Sequence, residues 1–423
     1  MSRNKTALIL EIALVVIVLA FATRAFAEPV KNSCLDCHSA MDGTLQIVAQ
    51  DYSVDIHAQK GLSCAACHGG DPSSDDNAMS PTAGFRGHID RKQIPQLCGS
   101  CHSDAAKMRQ YNPSLRTDQF AQYKTSVHGK KLDAGDTKVA VCIDCHGVHG
   151  IRPAGDPRSR VHPLKIAETC KRCHADREHM KPYGIPTDQF AGYTASVHYK
   201  AQVERGDLSA PTCTTCHGNH GAAPPGVASV ANVCSTCHVF QAQLFDASPH
   251  KAVFASASRP GCVTCHSNHR INAPSDEMIG GASSVCANCH ADSDRGFTVA
   301  QAIHNKLQEA KDAIARSDAV IKRAASAGME VRDAESELSS ANDALMKARV
   351  SVHGIATDKV AKELDPAQKS AAKAYTAGIN ALKERDYRRR GLALSVLAIL
   401  FAMAGLAVYI RSIERHPYES RDA

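Results

Sequence analysis

The chain contains no tryptophan, and aromatic residues make up only 5% of its 423 residues. A chain of that length would ordinarily fold as two or three domains, each around large apolar side chains. Such side chains are scarce here, which excludes an ordinary cytosolic enzyme and implies that other material fills the interior. No block of Lys and Arg is interleaved with aromatics, and 49 basic against 43 acidic residues leave a net charge of only +6. Nucleic acid is therefore excluded as a partner. What the chain does have is 18 Cys and 22 His.

No cysteine stands outside one pattern. Nine copies of Cys-x-x-Cys-His account for all of them: Cys34, Cys37 and His38; Cys64, Cys67 and His68; Cys98, Cys101 and His102; Cys142, Cys145 and His146; Cys170, Cys173 and His174; Cys213, Cys216 and His217; Cys234, Cys237 and His238; Cys262, Cys265 and His266; Cys286, Cys289 and His290. Composition alone predicts roughly 0.04 occurrences. Two thiols one helical turn apart add across the two vinyl groups of a haem, and the adjacent His is carried beneath the ring to ligate iron. Zinc ribbons do not require a His after every second Cys. A disulfide scaffold would make nine small strained loops. The pattern therefore calls for nine covalently bound c-type haems, with the nine motif His as proximal iron ligands.

Nine motifs within residues 28–296 leave about 30 residues for each, too few for an independent domain around every cofactor. The haems must share packing and lie close together, forming a path for electrons. The expected fold class is mainly α with extensive irregular loops: a haem-cored multihaem cytochrome c domain, then an α-helical hairpin stalk and one C-terminal transmembrane helix.

Sixth ligands have to come from the remaining His. An internal repeat marks several of them. Thr117-Asp118-Gln119-Phe120 leads to Ser126-Val127-His128, the fourth motif, and His149 three residues after His146; seventy residues later the same order brings Ser196-Val197-His198, the sixth motif and His220. A degenerate third copy carries His250 and His269 around the eighth motif. Three residues span at most roughly 10 Å, so His149, His220 and His269 are expected to ligate a neighbouring haem rather than their own. His57 is a further candidate, as are His88 and His162, which precede the third and fifth motifs by similar intervals. The nine Met are not regularly placed, so bis-His coordination is expected, closing the irons to substrate.

Residues 297–390 lack Cys and are rich in Ala, Lys, Glu and Asp, a helical composition. Apolar and small residues recur at steps of three and four on both sides of Gly328. A hairpin turning there would be roughly 36 Å long and would bring His304 and His353 to one level. His304, and after it His353, is a candidate ligand to a late haem. Asp365-Pro366 breaks the pattern, and a third helix is expected from Ala367 to Arg390.

Gly391 to Ile410 is 20 residues without a charge, long enough to cross a bilayer. Its flanks favour the wrong orientation: Lys383, Arg385, Arg388, Arg389 and Arg390 precede it, and only Arg411, Arg415 and Arg421 follow. The N-terminus, with Arg3, Lys5, an apolar run and Ala25-Phe26-Ala27, reads as a secretory leader over 1–27, with an uncleaved anchor as its rival. Export of the long upstream region overrides the charge bias. The expected location is therefore the cytoplasmic membrane, with a single C-terminal span, the haem domain in the periplasm, and residues 411–423 as a cytoplasmic tail.

The segment from Cys142 to Asp176, with Cys-His-Gly-Val-His-Gly-Ile, Asp156-Pro157-Arg158-Ser159 and then Cys170 to His174 followed by Ala175-Asp176, resembles the repeat of multihaem cytochromes c of anaerobic respiration. It is similar to domains fused to, or encoded with, a quinol-oxidising cytochrome b, and more distantly to membrane-anchored tetrahaem quinol dehydrogenases, whose anchors are typically N-terminal. The resemblance implies a quinol-oxidising membrane subunit of cytochrome b type, or another quinone-linked donor, as one partner. Periplasmic or outer-membrane cytochromes are the others, beside membrane lipid. Haem-dense nitrite reductases and hydroxylamine oxidoreductases are also similar, although no motif here ends in Lys. Two functions are expected: an electron conduit, or an oxidoreductase with one open haem acting on a small nitrogen or sulfur compound.

Overall fold

The computed structural model describes residues 32–415 except 48, 225 and 282. The expected leader at 1–27 and residues 416–423 of the expected tail lie outside the described residues. Among the described residues the chain is helix, turn and loop, with no strand. Every motif sits on a short helical segment. Seven end on the motif His itself, among them Ser33–His38, Ile94–His102, Cys142–His146, Ile166–His174 and Cys213–His217. Ala65–His68 and Gly261–His266 do the same for the second and eighth motifs, whereas the seventh and ninth lie on 3-10 turns, Val230–Thr236 and Val285–Asn288.

How the chain leaves the motif alternates. After the first, third and fifth, the capping residues Ser39, Ser103 and Ala175 keep right-handed helical geometry. After the second, fourth, sixth and eighth, the next residue flips to positive φ with extended ψ: Gly69 (71°, −163°), Gly147 (94°, 173°), Gly218 (80°, 158°) and Ser267 (64°, −175°). That region of backbone space is essentially reserved for glycine. The flip turns the chain sharply and throws the residue three beyond the motif His away from its own motif. Local geometry thus comes in pairs of motifs, matching the two-motif sequence repeat.

The described chain divides into two compact units. One runs through Thr194 and includes His198–Val230; the other comprises Ala195–Val197 and the chain from Ala231 onward. The first therefore carries motifs one to six, and the second carries seven to nine together with the C-terminal helices. Within the second unit the last motifs are built onto the C-terminal helices. Asp276 takes a two-pronged ion pair from Arg349, at 2.8 and 2.7 Å, and Leu244 reaches the backbone at Gly354.

In the first unit the main apolar cluster is small: Ile94, Leu132, Val139 and Val141. Arg91 pins it, bridging to the carboxylate of Asp144 inside the fourth motif at 2.6 Å and to the carbonyls of Thr137 and Val139. The second unit has a conventional core. Helix α1 (Arg295–Ser326) and helix α2 (Arg332–Ser351) form the expected hairpin, turning through Gly328 at φ +77°. Helix α3 (Thr357–Arg415) packs along both. Ile303, Leu307, Ala310, Ala341, Leu345, Ala348, Val360 and Leu364 close the centre.

Contrary to the sequence expectation, Asp365-Pro366 does not interrupt the helix, which starts at Thr357 and includes Pro366. An interior proline costs about 3 kcal/mol. Burial of Val360, Leu364, Ala367 and Ala371 on both sides of it offsets that cost. Helix α3 continues for 59 residues, and its C-terminal part is apolar and wholly exposed, so it could cross a membrane.

Candidate haem-binding sites

Burial and local hydrogen bonds place the motif histidines opposite other histidines. In the first unit His102 faces His57, His68 faces His149, His174 faces His128 and His146 faces His220, with ring centroids 6.1, 6.3, 6.2 and 6.1 Å apart. In the second unit His290 faces His250 at 6.0 Å and His266 faces His353 at 6.0 Å. Each pair unites one motif His with one outside the motifs. Two metal–imidazole bonds of about 2 Å, plus about 1.1 Å from nitrogen to centroid in each ring, would set the centroids roughly 6.2 Å apart. The spacing therefore fits a single iron between each pair. Interplanar angles range from 2° to 86°, as rings free to rotate about a common axis would allow.

The partners follow a rule. His57, His128 and His250, which precede the second, fourth and eighth motifs, face the His of the following motif. His149 and His220, which follow the fourth and sixth, face the His of the motif two places back. A backbone hydrogen bond carries the same register: Ile56 N–H donates to the Ile151 carbonyl at 2.7 Å, and Val197 N–H to the Ile271 carbonyl at 2.8 Å. Asp55-Ile56-His57 thus stands where the repeats have Ser-Val-His. His198, His217, His238 and His269 are each held by contacts of their own.

Which nitrogen carries the proton also matters, since a ligand needs one ring nitrogen bare and the other N–H held. Nδ1–H of His38 donates to the Leu45 carbonyl at 2.8 Å, that of His353 to the Val350 carbonyl at 2.9 Å, and that of His57 to the Asp55 carboxylate at 3.1 Å. His290 is held by Asp294 at 3.1 Å, and its ring lies where a side chain on Gly296 would collide with it. His353 is presented by a strained turn, with Ile355 at φ 50° just beyond it.

The remaining candidates differ. His304 donates from Nδ1 to the Asp276 carbonyl at 3.0 Å, leaving Nε2 4.0 Å from a Glu277 oxygen, with no facing imidazole among the described residues. His162 is buried, but its Nδ1 accepts from the Leu164 N–H at 3.3 Å, which puts the proton on Nε2. His88 is exposed and outside these pairs. Sequence reasoning ranked His304 ahead of His353, and the structure puts His353 opposite a motif His. The missed signal was the turn from Ser351 to Ala356, which no periodicity marks.

The thiols form a series too. First cysteines of successive motifs touch: Cys34 with Cys64, Cys98 with Cys142, Cys170 with Cys213, and Cys234 with Cys262. Second cysteines bridge the intervening steps, Cys67 lying near Cys98 and Cys101, Cys145 near Cys173, and Cys265 near Cys286 and Cys289. Motifs one to six and motifs seven to nine are thereby two unbroken rows of attachment points. Electrostatics suit ligation. Burial, then the facing His220, pushes the His146 imidazole down to about 4, and burial lowers His68, His102, His128, His174 and His266 as well. Neutral imidazole is the form that binds metal.

Residues 56–175 match the sequence family described as cytochrome c3. A 121-residue stretch is 25% identical to the C-type polyheme cytochrome OmcC of Geobacter sulfurreducens. That match covers 28% of this chain and 14% of the relative, so the chain spans only a small part of that relative's length. No solved structure matches. Paired thiols, facing imidazoles and a segment similar to cytochrome c3 together support a multihaem c-type cytochrome.

Proposed function

We propose that the chain binds nine c-type haems and passes electrons along them from a quinone-linked membrane partner, such as a quinol-oxidising cytochrome b subunit, to periplasmic or outer-membrane cytochromes. The carrying observation is the set of six His–His pairs at 6.0–6.3 Å, each containing one motif His. A haem bound at each motif supplies a one-electron iron couple. The protein's part would be to hold each porphyrin through the two thiols of its motif and, at the six paired sites, to offer the iron a motif His and the His facing it, which would leave no place there for a substrate. His/His ligation also favours low potential relative to His/Met, which suits electrons arriving from a quinol pool. Anchoring by the apolar end of α3, with the haem region in the periplasm, would keep the row of haems beside its donor.

Two measurements test this: a pyridine haemochrome assay with intact mass, expected to give nine haems per chain, and an electron paramagnetic resonance spectrum, expected to be dominated by low-spin iron. A colourless protein or a predominantly high-spin spectrum overturns it.

One observation favours a second reading, an oxidoreductase with a single open haem. His38 has its Nδ1 held by Leu45 in the manner of a ligand, yet no imidazole faces it among the described residues, and residues 1–37 contain no His. An open haem on Cys34 and Cys37 would bind carbon monoxide when reduced. One equivalent bound per chain, lost when Cys34 and Cys37 are replaced, would support this reading; no binding would remove it.

A further inference from the structure

A basic hollow lies in the second unit where α3 approaches its apolar stretch. It has a volume of about 440 Å³ and is lined by Lys322, Arg323, Ser326 and Ala327 from the end of α1 and by Arg385 and Arg389 from α3. The helices that carry it are packed together, since Val320, Ala324 and Leu382, close in sequence to its lining residues, are buried in one cluster with Ile379 and Met329 against them. The cations therefore line a shallow, open hollow on packed helices. Neighbouring acids compensate only part of the charge. Lys322 pairs with Asp318, Arg385 with Asp386 and Arg388 with Glu384, whereas Arg323, Arg389 and Arg390 have no ion-pair partner among the described residues.

Position decides what such a recess would meet. Arg389 is two residues, about 3 Å of helix rise, from Gly391, where the exposed apolar stretch begins. Tyr387 and Tyr409 are both largely exposed, at 74% and 64%. They stand 22 residues apart on one helix, about 33 Å, the spacing of two aromatic anchors at the surfaces of a bilayer. The hollow is then at headgroup depth beside one of them. A recess with surplus guanidinium groups at that level suits a phosphodiester, since Arg donates to phosphate oxygens in pairs.

We propose that this hollow binds the headgroup of an anionic phospholipid and thereby fixes the base of the three-helix bundle on the membrane surface. The proposal rests on the reading of Gly391–Ile410 as a membrane span. It also accounts for an oddity of the sequence. Five cations from Lys383 to Arg390 lie on the side where the charge rule would not put them if the haem region is exported. Lipid phosphate, rather than topology, gives those cations their role.

The test uses the full-length haem-loaded protein in nanodiscs of phosphatidylcholine mixed with phosphatidylglycerol, with retained lipid read by native mass spectrometry after mild delipidation. Wild type should retain phosphatidylglycerol in preference to phosphatidylcholine. The triple variant R323Q/R385Q/R389Q should lose that preference roughly tenfold. K311Q/K347Q/K362Q, which removes the same charge from exposed positions elsewhere on the bundle, should keep it. Equal retention of the two lipids overturns the proposal, as does equal behaviour of the two triple variants. Displacement of the bound lipid by millimolar inorganic phosphate would also overturn it, in favour of a free-anion site. A chain that remains in the supernatant without detergent would instead refute the membrane reading itself, a different failure.

Discussion

His353, in the turn after helix α2, lies opposite His266 of the eighth motif, with ring centroids 6.0 Å apart and planes within 23°. The two are 87 positions apart in sequence, and nothing local joins them. The other partners outside the motifs come from flanks of the haem-binding repeat, whereas the helical bundle supplies this one. The helical bundle thus brings an imidazole of its own to a motif histidine.

Replacing His353 by Ala should convert one iron from low to high spin, visible as a new high-spin resonance of about one equivalent per chain. The same change at His304, whose ring faces no motif His among the described residues, should leave the spectrum unchanged. High-spin iron in the His304 variant and none in the His353 variant would reverse the assignment.

Asp55 is buried, receives the Nδ1–H of His57 at 3.1 Å and the Ile151 N–H at 2.9 Å, and so places a negative charge on the imidazole that faces His102. An anionic partner makes a ligating imidazole more basic and stabilises ferric iron. Asp55→Asn should raise the midpoint potential of one haem and leave the others nearly unmoved in a redox titration followed spectroscopically. Unchanged potentials would sever the link between Asp55 and that haem.

Ser267 adopts the backbone flip that Gly69, Gly147 and Gly218 perform at equivalent places. A side chain in that region costs on the order of 1–3 kcal/mol. Ser267→Gly should raise the unfolding midpoint of the second unit, and Gly147→Ala should lower stability by a similar amount, both read by denaturant titration. A destabilised Ser267→Gly protein would show that the strain is absent or offset.

Haem attachment should matter unequally along the chain. The bundle buries Ile303, Leu307, Val360 and Leu364 completely or nearly so, while the first unit has only a small apolar cluster around Val141. Protein made without haem attachment should retain amide protection over 295–390 and lose it over residues 32–230. Equal protection in both regions would mean that the polypeptide alone folds the first unit.

The motifs were legible in the sequence because haem attachment is local chemistry. Two thiols and a His within five residues need one helical turn and nothing else, so spacing alone singles out all 18 cysteines and nine histidines as candidates. The hairpin at Gly328 was legible for a similar reason, since its apolar stripe repeats with the helical period. The repeat picked out His128, His149, His220 and His250 but left their partners open. Those partners depend on how one pair of motifs docks on the next, through contacts such as Ile56 to Ile151 that lie 95 positions apart. The same limit ranked His304 ahead of His353, and the continuity of α3 through Pro366 depended on burial that no propensity reports. Composition and spacing determined what this protein carries. Only tertiary packing decided which imidazole meets which, because each pairing closes a long loop and is stabilised by contacts between segments far apart in the chain.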